Sequence, residues 1–149
     1  MIRLSRKTTL ALEAVLDVAY NARPNPVQAR DITERQGIPR RYLEQVLQQL
    51  VRAGVLKGVR GPRGGYTLAR ERRRVSLGDV VRIVGAMDGE GDAPPSSAPL
   101  GSEIIAPIWE EVQRDILARL DAITMEDLCR EAEMKRVPRA DDASVDFTI

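Results

Sequence analysis

Apolar residues along this chain recur mostly at intervals of three and four, the spacing of amphipathic helices. From Ser5 to about Asn21 the positions Leu12, Val15, Leu16 and Ala19 keep that spacing, and Pro24 and Pro26 end the run. VQARDITERQG predicts a short helix stopped by Gly37, just past its last turn. Pro39 stands where proline is favoured, in the first turn of the next helix. That helix, PRRYLEQVLQQLVRA, carries the cleanest stripe: Leu43, Val46, Leu47, Leu50 and Val51, with Gly54 at its end. Arg40, Arg41, Glu44, Gln45, Gln48 and Arg52 lie largely off the stripe.

The period then changes. VLKGVR and GYTLAR are short runs that can pair, with GPRG between them, so a β-hairpin is expected whose turn needs positive φ angles. Two helices joined by QGIP, followed by such a hairpin, make a winged helix. The fold class expected is mainly α, with a small β-hairpin wing and a long dimerisation helix. Neither a GxxxxGK[ST] phosphate loop nor a GxGxxG motif is present. The glycines are read instead as thinning the wing where its backbone nears DNA, with Arg60 and Arg63 bringing charge to a narrow, negative groove. Tyr66 is counted with that DNA-binding wing.

Beyond the wing, Ser76 and Asp79 form a capping box for a helix to about Met87 that carries Leu77, Val80, Val81 and Val84. DGEGDAPPSSAPLGS is acidic and rich in proline, serine and glycine, as a flexible loop would be. The next helix repeats Ile105, Ile108, Trp109, Val112, Ile116, Leu120 and Ile123 close to a coiled-coil seam, and it is expected to pack against its twin. Thr124 and Asp127 cap a further helical turn. These readings divide the chain into a winged helix over 1–87, a loop over 88–102, the dimerisation helix and a short terminal helix over 103–133, and a polar, disordered tail over 134–149.

Charge sharpens the picture. Of the 149 residues, 1–74 hold 16 of the 23 Lys+Arg and 6 of the 22 Asp+Glu, a net of +10. Residues 75–149 hold the other 7 and 16, a net of −9. One half suits a polyanion and the other does not. Aromatics are only 3% of the chain, so the core is expected to be aliphatic. The apolar start carries Glu13 and Asp17 and lacks a small-residue cleavage site, which argues against a signal peptide. No apolar run is long enough to span a membrane, and a cytoplasmic location is expected.

There is no histidine and one cysteine, Cys129, so no acid–base pair or nucleophile with a base is available and no enzyme is expected. Cys129 is read as a small half-buried hydrophobe whose only adjoining cation is Arg130. Arginine can pair with guanine, glutamine with adenine, and glutamate can accept from cytosine. Arg40 and Arg41 could equally contact phosphate. Glu44 could instead hold a neighbouring arginine.

The segments MIRLSRKTTLALEAVLDVA, DITERQGIPRRYLEQVLQQLVRAGVL, VRGPRGGYTLAR and SLGDVVRIV resemble the Rrf-type family of bacterial winged-helix regulators, the IscR-, NsrR- and CymR-like proteins, over residues 1 to about 130. The resemblance implies a homodimeric transcription regulator on a palindrome-like operator in double-stranded DNA. It implies that the second helix of the motif enters the major groove, with Arg41, Glu44 and Gln45 near base edges, and that Arg60 is the minor-groove residue of the wing. Serine or threonine often stands in the family where Arg40 and Arg41 do here, so a different base preference is expected. Iron–sulfur members place three cysteines in the loop matching 88–103, where this chain has none, and Thr8 and Thr9 stand where some members offer an acidic ligand. No cluster and no other cofactor is therefore expected. A protein or small-molecule effector acting on the loop, whose acids are Asp88, Glu90 and Asp92, is the remaining expectation. The alternative is a winged-helix dimer working by protein–protein contact with weak DNA binding.

Overall fold

The computed structural model describes residues 5–23, 25–88 and 97–140, with side chains described as far as Gly85 and again from Ser97. Its elements follow in the order α1 (Arg6–Asn21), α2 (Ala29–Gln36), α3 (Arg40–Arg52), β1 (Leu56–Val59), β2 (Gly65–Leu68), a 3-10 turn (Arg72–Arg74), α4 (Leu77–Asp88), a π-helical segment (Leu100–Ile105), α5 (Ala106–Asp121) and α6 (Met125–Met134). This is a winged helix with helices appended at its C-terminal side.

Helix α1 is central, packing against α2, α4 and α6. Its buried face is built from small side chains, Ala11, Ala14, Val15, Val18 and Ala19, which lets those helices approach closely. Ser5 caps it, the hydroxyl accepting from Thr8 N–H at 3.1 Å. Helix α2 ends as the sequence predicts, on Gly37 at φ 66°, whose N–H returns to the Thr33 carbonyl. Pro39 sits one residue earlier than expected. It is the cap of α3 rather than part of its first turn, and its extended backbone leaves its carbonyl to accept from Leu43 N–H at 3.0 Å. Leu43, Val46, Leu47 and Leu50 are fully buried, whereas Val51 is 37% exposed at the edge of the stripe.

The hairpin pairs antiparallel in the register Leu56↔Leu68 to Val59↔Gly65. Residue Val27, before α2, adds a single antiparallel bridge to Tyr66 on the free edge of β2. The hairpin itself explains two of its glycines. A Cβ on Gly64 would lie 2.2 Å from the Val59 carbonyl oxygen, and one on Gly65, at φ +151°, 2.3 Å from that of Val27. Only Gly61, at φ +112° with nothing nearby, serves the open tip. At Gly64 and Gly65 chain–chain approach within the protein is by itself enough to require glycine.

Both predicted capping boxes form. Ser76 and Asp79 exchange bonds at 3.0 and 3.1 Å, and Thr124 and Asp127 at 3.0 and 3.2 Å. The two helix starts lie side by side, with Leu77 N–H donating to the Ile123 carbonyl and Met125 N–H to that of Val75. Helix α5 leaves this junction against α4. Gly78 permits the approach, since a Cβ there would sit 1.9 Å from Asp121 Oδ1.

Helical backbone begins at Leu100, inside the expected loop, because Ser102 bonds back to the Ala98 carbonyl through both N–H and hydroxyl. The rest of that loop, including Glu90 and Asp92, lies outside the described residues, as does the tail from 141. The described part of the tail is held in place. Tyr20 Oη donates to the Val137 carbonyl at 2.5 Å, Ala140 N–H donates to Asn21 Oδ1 at 2.9 Å, and Arg139 lies over the Tyr20 ring.

Candidate nucleic-acid interface

The buried stripe of α3 fixes which of its residues face out. Arg40, Arg41, Glu44, Gln45, Gln48 and Arg52 are all exposed. Arg41 and Gln45, four apart, share one strip of the helix surface. Glu44 is committed: its Oε1 accepts from Arg40 Nε at 3.1 Å, which realises the reading that it holds a neighbouring arginine. Both partners are more than half exposed, so the pair orients Arg40 more than it stabilises the fold.

Arg60 and Arg63 are exposed at the tip of the hairpin. Tyr66 differs from the other wing residues. Its N–H and C=O both pair with Val27, at 2.7 and 3.0 Å, and its ring packs against the core. It ties the hairpin to the segment before α2 and is half-buried, unlike the exposed arginines.

Three features escaped sequence reading. Tyr42 Oη donates to the Lys7 carbonyl at 2.6 Å, drawing the N-terminus of α1, with exposed Arg6 and Lys7, alongside the start of α3. The sequence signal was the basic start of the chain, which bears on a leader peptide as readily as on DNA. Asp17, taken as a mere interruption of an apolar run, is a buried anchor for α2: Arg35 donates to it at 2.9 and 2.8 Å and Gln36 at 2.8 Å. That hydrogen-bonded carboxylate raises the pKa of the Arg35 guanidinium.

The third concerns Cys129. It is fully buried rather than half-buried, and Arg72 from the turn after the wing, not only its chain neighbour Arg130, reaches it. Burial pushes its thiol pKa up, with Arg72 pulling the other way. Arg72 Nε also lies 3.0 Å from Glu126 Oε2, off the hydrogen-bond line.

The residues expected at the dimer contact lie along α5, with Ile105 just before it and Ile123 just after it. Ile105, Trp109 and Ile116 are 63%, 47% and 39% exposed, and Ile108 is 55% exposed. Val112, Leu120 and Ile123 are half-buried, and no residue of α5 is fully buried within the chain. No helix among the described residues is long and apolar enough to cross a membrane, and no three His, Cys, Asp or Glu side chains gather there as a metal site would need.

The sequence profile of the family Rrf2, described as iron-dependent transcriptional regulator, matches residues 4–131. The HTH-type transcriptional regulator IscR of Xenorhabdus nematophila is 33% identical over 147 residues, which cover 95% of this chain and 88% of that one. Its namesake in Vibrio cholerae is 35% identical over 147 residues, covering 95% and 83%. Among solved structures, IscR of T. potens superposes with a TM-score of 0.74 at 34% identity, covering 92% of this chain and 93% of that one. CymR, the global cysteine regulator of B. subtilis, superposes with 0.70 at 25% identity, covering 88% and 98%. A profile match over most of the chain, together with these relatives and a winged helix of the same build, establishes that this chain belongs to the Rrf2 family of transcriptional regulators, a family of regulators rather than enzymes.

Proposed function

We propose that this protein is a sequence-specific DNA-binding transcription regulator that acts as a homodimer on a palindrome-like operator. The observation that carries the reading is one exposed polar face of α3, with Arg40, Arg41 and Gln45, joined to a wing whose tip exposes Arg60 and Arg63. Helix α3 would lie in the major groove, with Arg41 and Gln45 at base edges and Arg40, steered by Glu44, at phosphate. The wing would enter the neighbouring minor groove. Arg6 and Lys7, held beside α3 by Tyr42, would add phosphate contacts from the start of α1.

The homodimer rests on α5. A helix of 16 residues with none fully buried and a row of isoleucines and a tryptophan exposed needs a covering surface, and its twin offers a matching stripe. Dimers place two reading helices on one face of a duplex, hence the two-fold operator.

Iron–sulfur binding in the manner of the cluster-bearing relatives does not suit this donor set. The chain offers one thiol and no imidazole, and the thiol lies in the core of α6 against Arg72. No step of the proposed mechanism runs through a cluster.

Selecting bound sequences from a random DNA pool, then measuring band shifts on the winning site, tests the reading. A two-fold motif bound tightly by wild type and weakly by Arg60→Ala is the expected result. Failure to enrich any motif would favour a regulator that works through protein contacts instead.

A further inference from the structure

The exit of the wing is fastened on two sides. Just after β2, Ala69 N–H donates to the Val55 carbonyl at 2.9 Å and Arg70 Nε to that of Gly54 at 3.2 Å, which ties the exit to the end of α3. The chain then makes the 3-10 turn Arg72–Arg74 and enters an antiparallel bridge, with Ser76 opposite Thr124. Leu77 N–H donates to the Ile123 carbonyl at 2.9 Å, and Met125 N–H to that of Val75 at 2.8 Å. The segment leaving the wing is thus zipped to the turn between α5 and α6, at the end of the helix proposed to dimerise.

Arg72 and Glu126 clasp this junction. Arg72 Nε lies 3.0 Å from Glu126 Oε2, with the side chains 11% and 26% exposed. The pair is poorly built as a source of stability. Nε and Nη1 of Arg72 are buried without a hydrogen-bond partner, and a shielded pair with unmatched donors does little more than offset its own desolvation. What the pair does fix is the spacing between the turn behind the wing and the first turn of α6. The other partner of Glu126, Arg130 at 3.3 Å, lies in the same helix and is 71% exposed, so it joins no separate segments.

Only residues 69–71 separate β2 from the 3-10 turn, so a displacement of α6 meets the hairpin after a short, hydrogen-bonded stretch. Neither side chain is placed to hold phosphate: Arg72 is shielded and Glu126 is acidic.

We infer that Arg72 and Glu126 are positioning residues for DNA binding: their clasp sets the wing relative to the dimer helix, so operator affinity depends on a pair that touches no DNA. The clasp is a feature of the chain alone; only its consequence for operator affinity rests on the DNA reading.

The test compares wild type, Glu126→Gln, Arg72→Lys and Arg130→Ala as full chains. Nuclear magnetic resonance without DNA reads the hairpin, and titration of a fluorescent duplex carrying the selected site reads affinity. Glu126→Gln should shift the amides of Gly58, Val59 and Tyr66, in the outer half of the hairpin, and weaken binding about tenfold. The sign is diagnostic, because removing a negative charge would by its field alone tighten binding to DNA. Arg72→Lys keeps the charge, loses the fork and should act in the same direction, which keeps the test decisive if Glu126→Gln fails to fold. Arg130→Ala should leave the hairpin amides in place. Combining Glu126→Gln with Arg60→Ala should cost little more than Arg60→Ala alone, since both act through the wing, whereas general destabilisation would add. Shifts confined to the 3-10 turn and α6, unchanged or tighter binding, additive losses with Arg60→Ala, or equal hairpin shifts in Arg130→Ala would overturn the coupling. Hairpin shifts in Glu126→Gln with no operator bound by wild type would leave the clasp standing and remove the DNA reading alone.

Discussion

The carboxylate of Asp17 in α1 receives both Nε and Nη2 of Arg35 in α2, at 2.9 and 2.8 Å, with its own side chain fully shielded from water. Fork-to-fork pairing of this kind fixes direction as well as distance. It sets the angle at which the helix-turn-helix leaves α1. Asp17→Ala should leave a guanidinium unpaired and cost about 3–5 kcal/mol, read from urea denaturation. A loss under ~1 kcal/mol would show that the pair is not part of the folding core.

The dimer can be tested without confounding the fold. Ile108 and Ile116 are both exposed within the chain, eight residues apart on α5. Replacing both with aspartate should give folded monomers, because burying unpaired charge at an interface costs several kcal/mol, of order ~3 each. Light scattering should then report half the wild-type mass with an unchanged circular dichroism spectrum. A monomeric wild type at micromolar concentration would refute the pairing.

DNA affinity should depend steeply on salt. Neutralising about 6–10 phosphates predicts a fall of ~10³–10⁵-fold between 50 and 200 mM salt. Gln45→Ala should relax base preference at one position per half-site by about 1–3 kcal/mol. Glu44→Ala, by releasing Arg40, should change which base or phosphate that arginine meets while leaving the melting temperature nearly constant. Titrations on fluorescent operator variants would read each effect.

Acid stability should report the α4–α5 junction. The Arg82 hydrogen bond holds the Asp121 carboxyl below its ordinary value of 3.8, and bonds to the Thr124 backbone and hydroxyl do the same for Asp127. A depressed folded pKa contributes stability that is present above 3.8 and is lost as pH falls through the lower folded value. Denaturation midpoints should therefore drop below about pH 4, and Asp121→Asn should flatten that slope. An identical acid slope in Asp121→Asn and wild type would exclude this pair as its source.

The start of β2 offers a steric test. Gly65 sits at φ +151° with the Val27 carbonyl where a side chain would project. Gly65→Ala should destabilise by roughly 1–3 kcal/mol and loosen the wing. Gly61→Ala, in open space at φ +112°, should cost less, since it adds strain without a clash. Equal melting temperatures for the two variants would contradict this distinction.

Local signals in the sequence were enough to determine the helices and their ends. Gly37 stops α2, Ser76 with Asp79 and Thr124 with Asp127 start α4 and α6, and the stripe Leu43–Val46–Leu47–Leu50 orients α3. Each of these acts within four residues, so periodicity and capping chemistry reveal it. The inventory of one thiol and no imidazole is likewise complete in the sequence.

Contacts between distant segments were decided only by the tertiary structure. Asp17 meets Arg35 across 18 positions, Tyr42 meets Lys7 across 35, and Arg82 meets Asp121 across 39. Arg72 looks like one more surface charge in RERRRV, yet the turn it sits in folds it onto Glu126 and Cys129. The requirement for glycine at 64, 65 and 78 comes from a carbonyl or carboxylate brought against the backbone by packing. A local pattern carries no record of which remote group will arrive, because burial and close approach are properties of the assembled core.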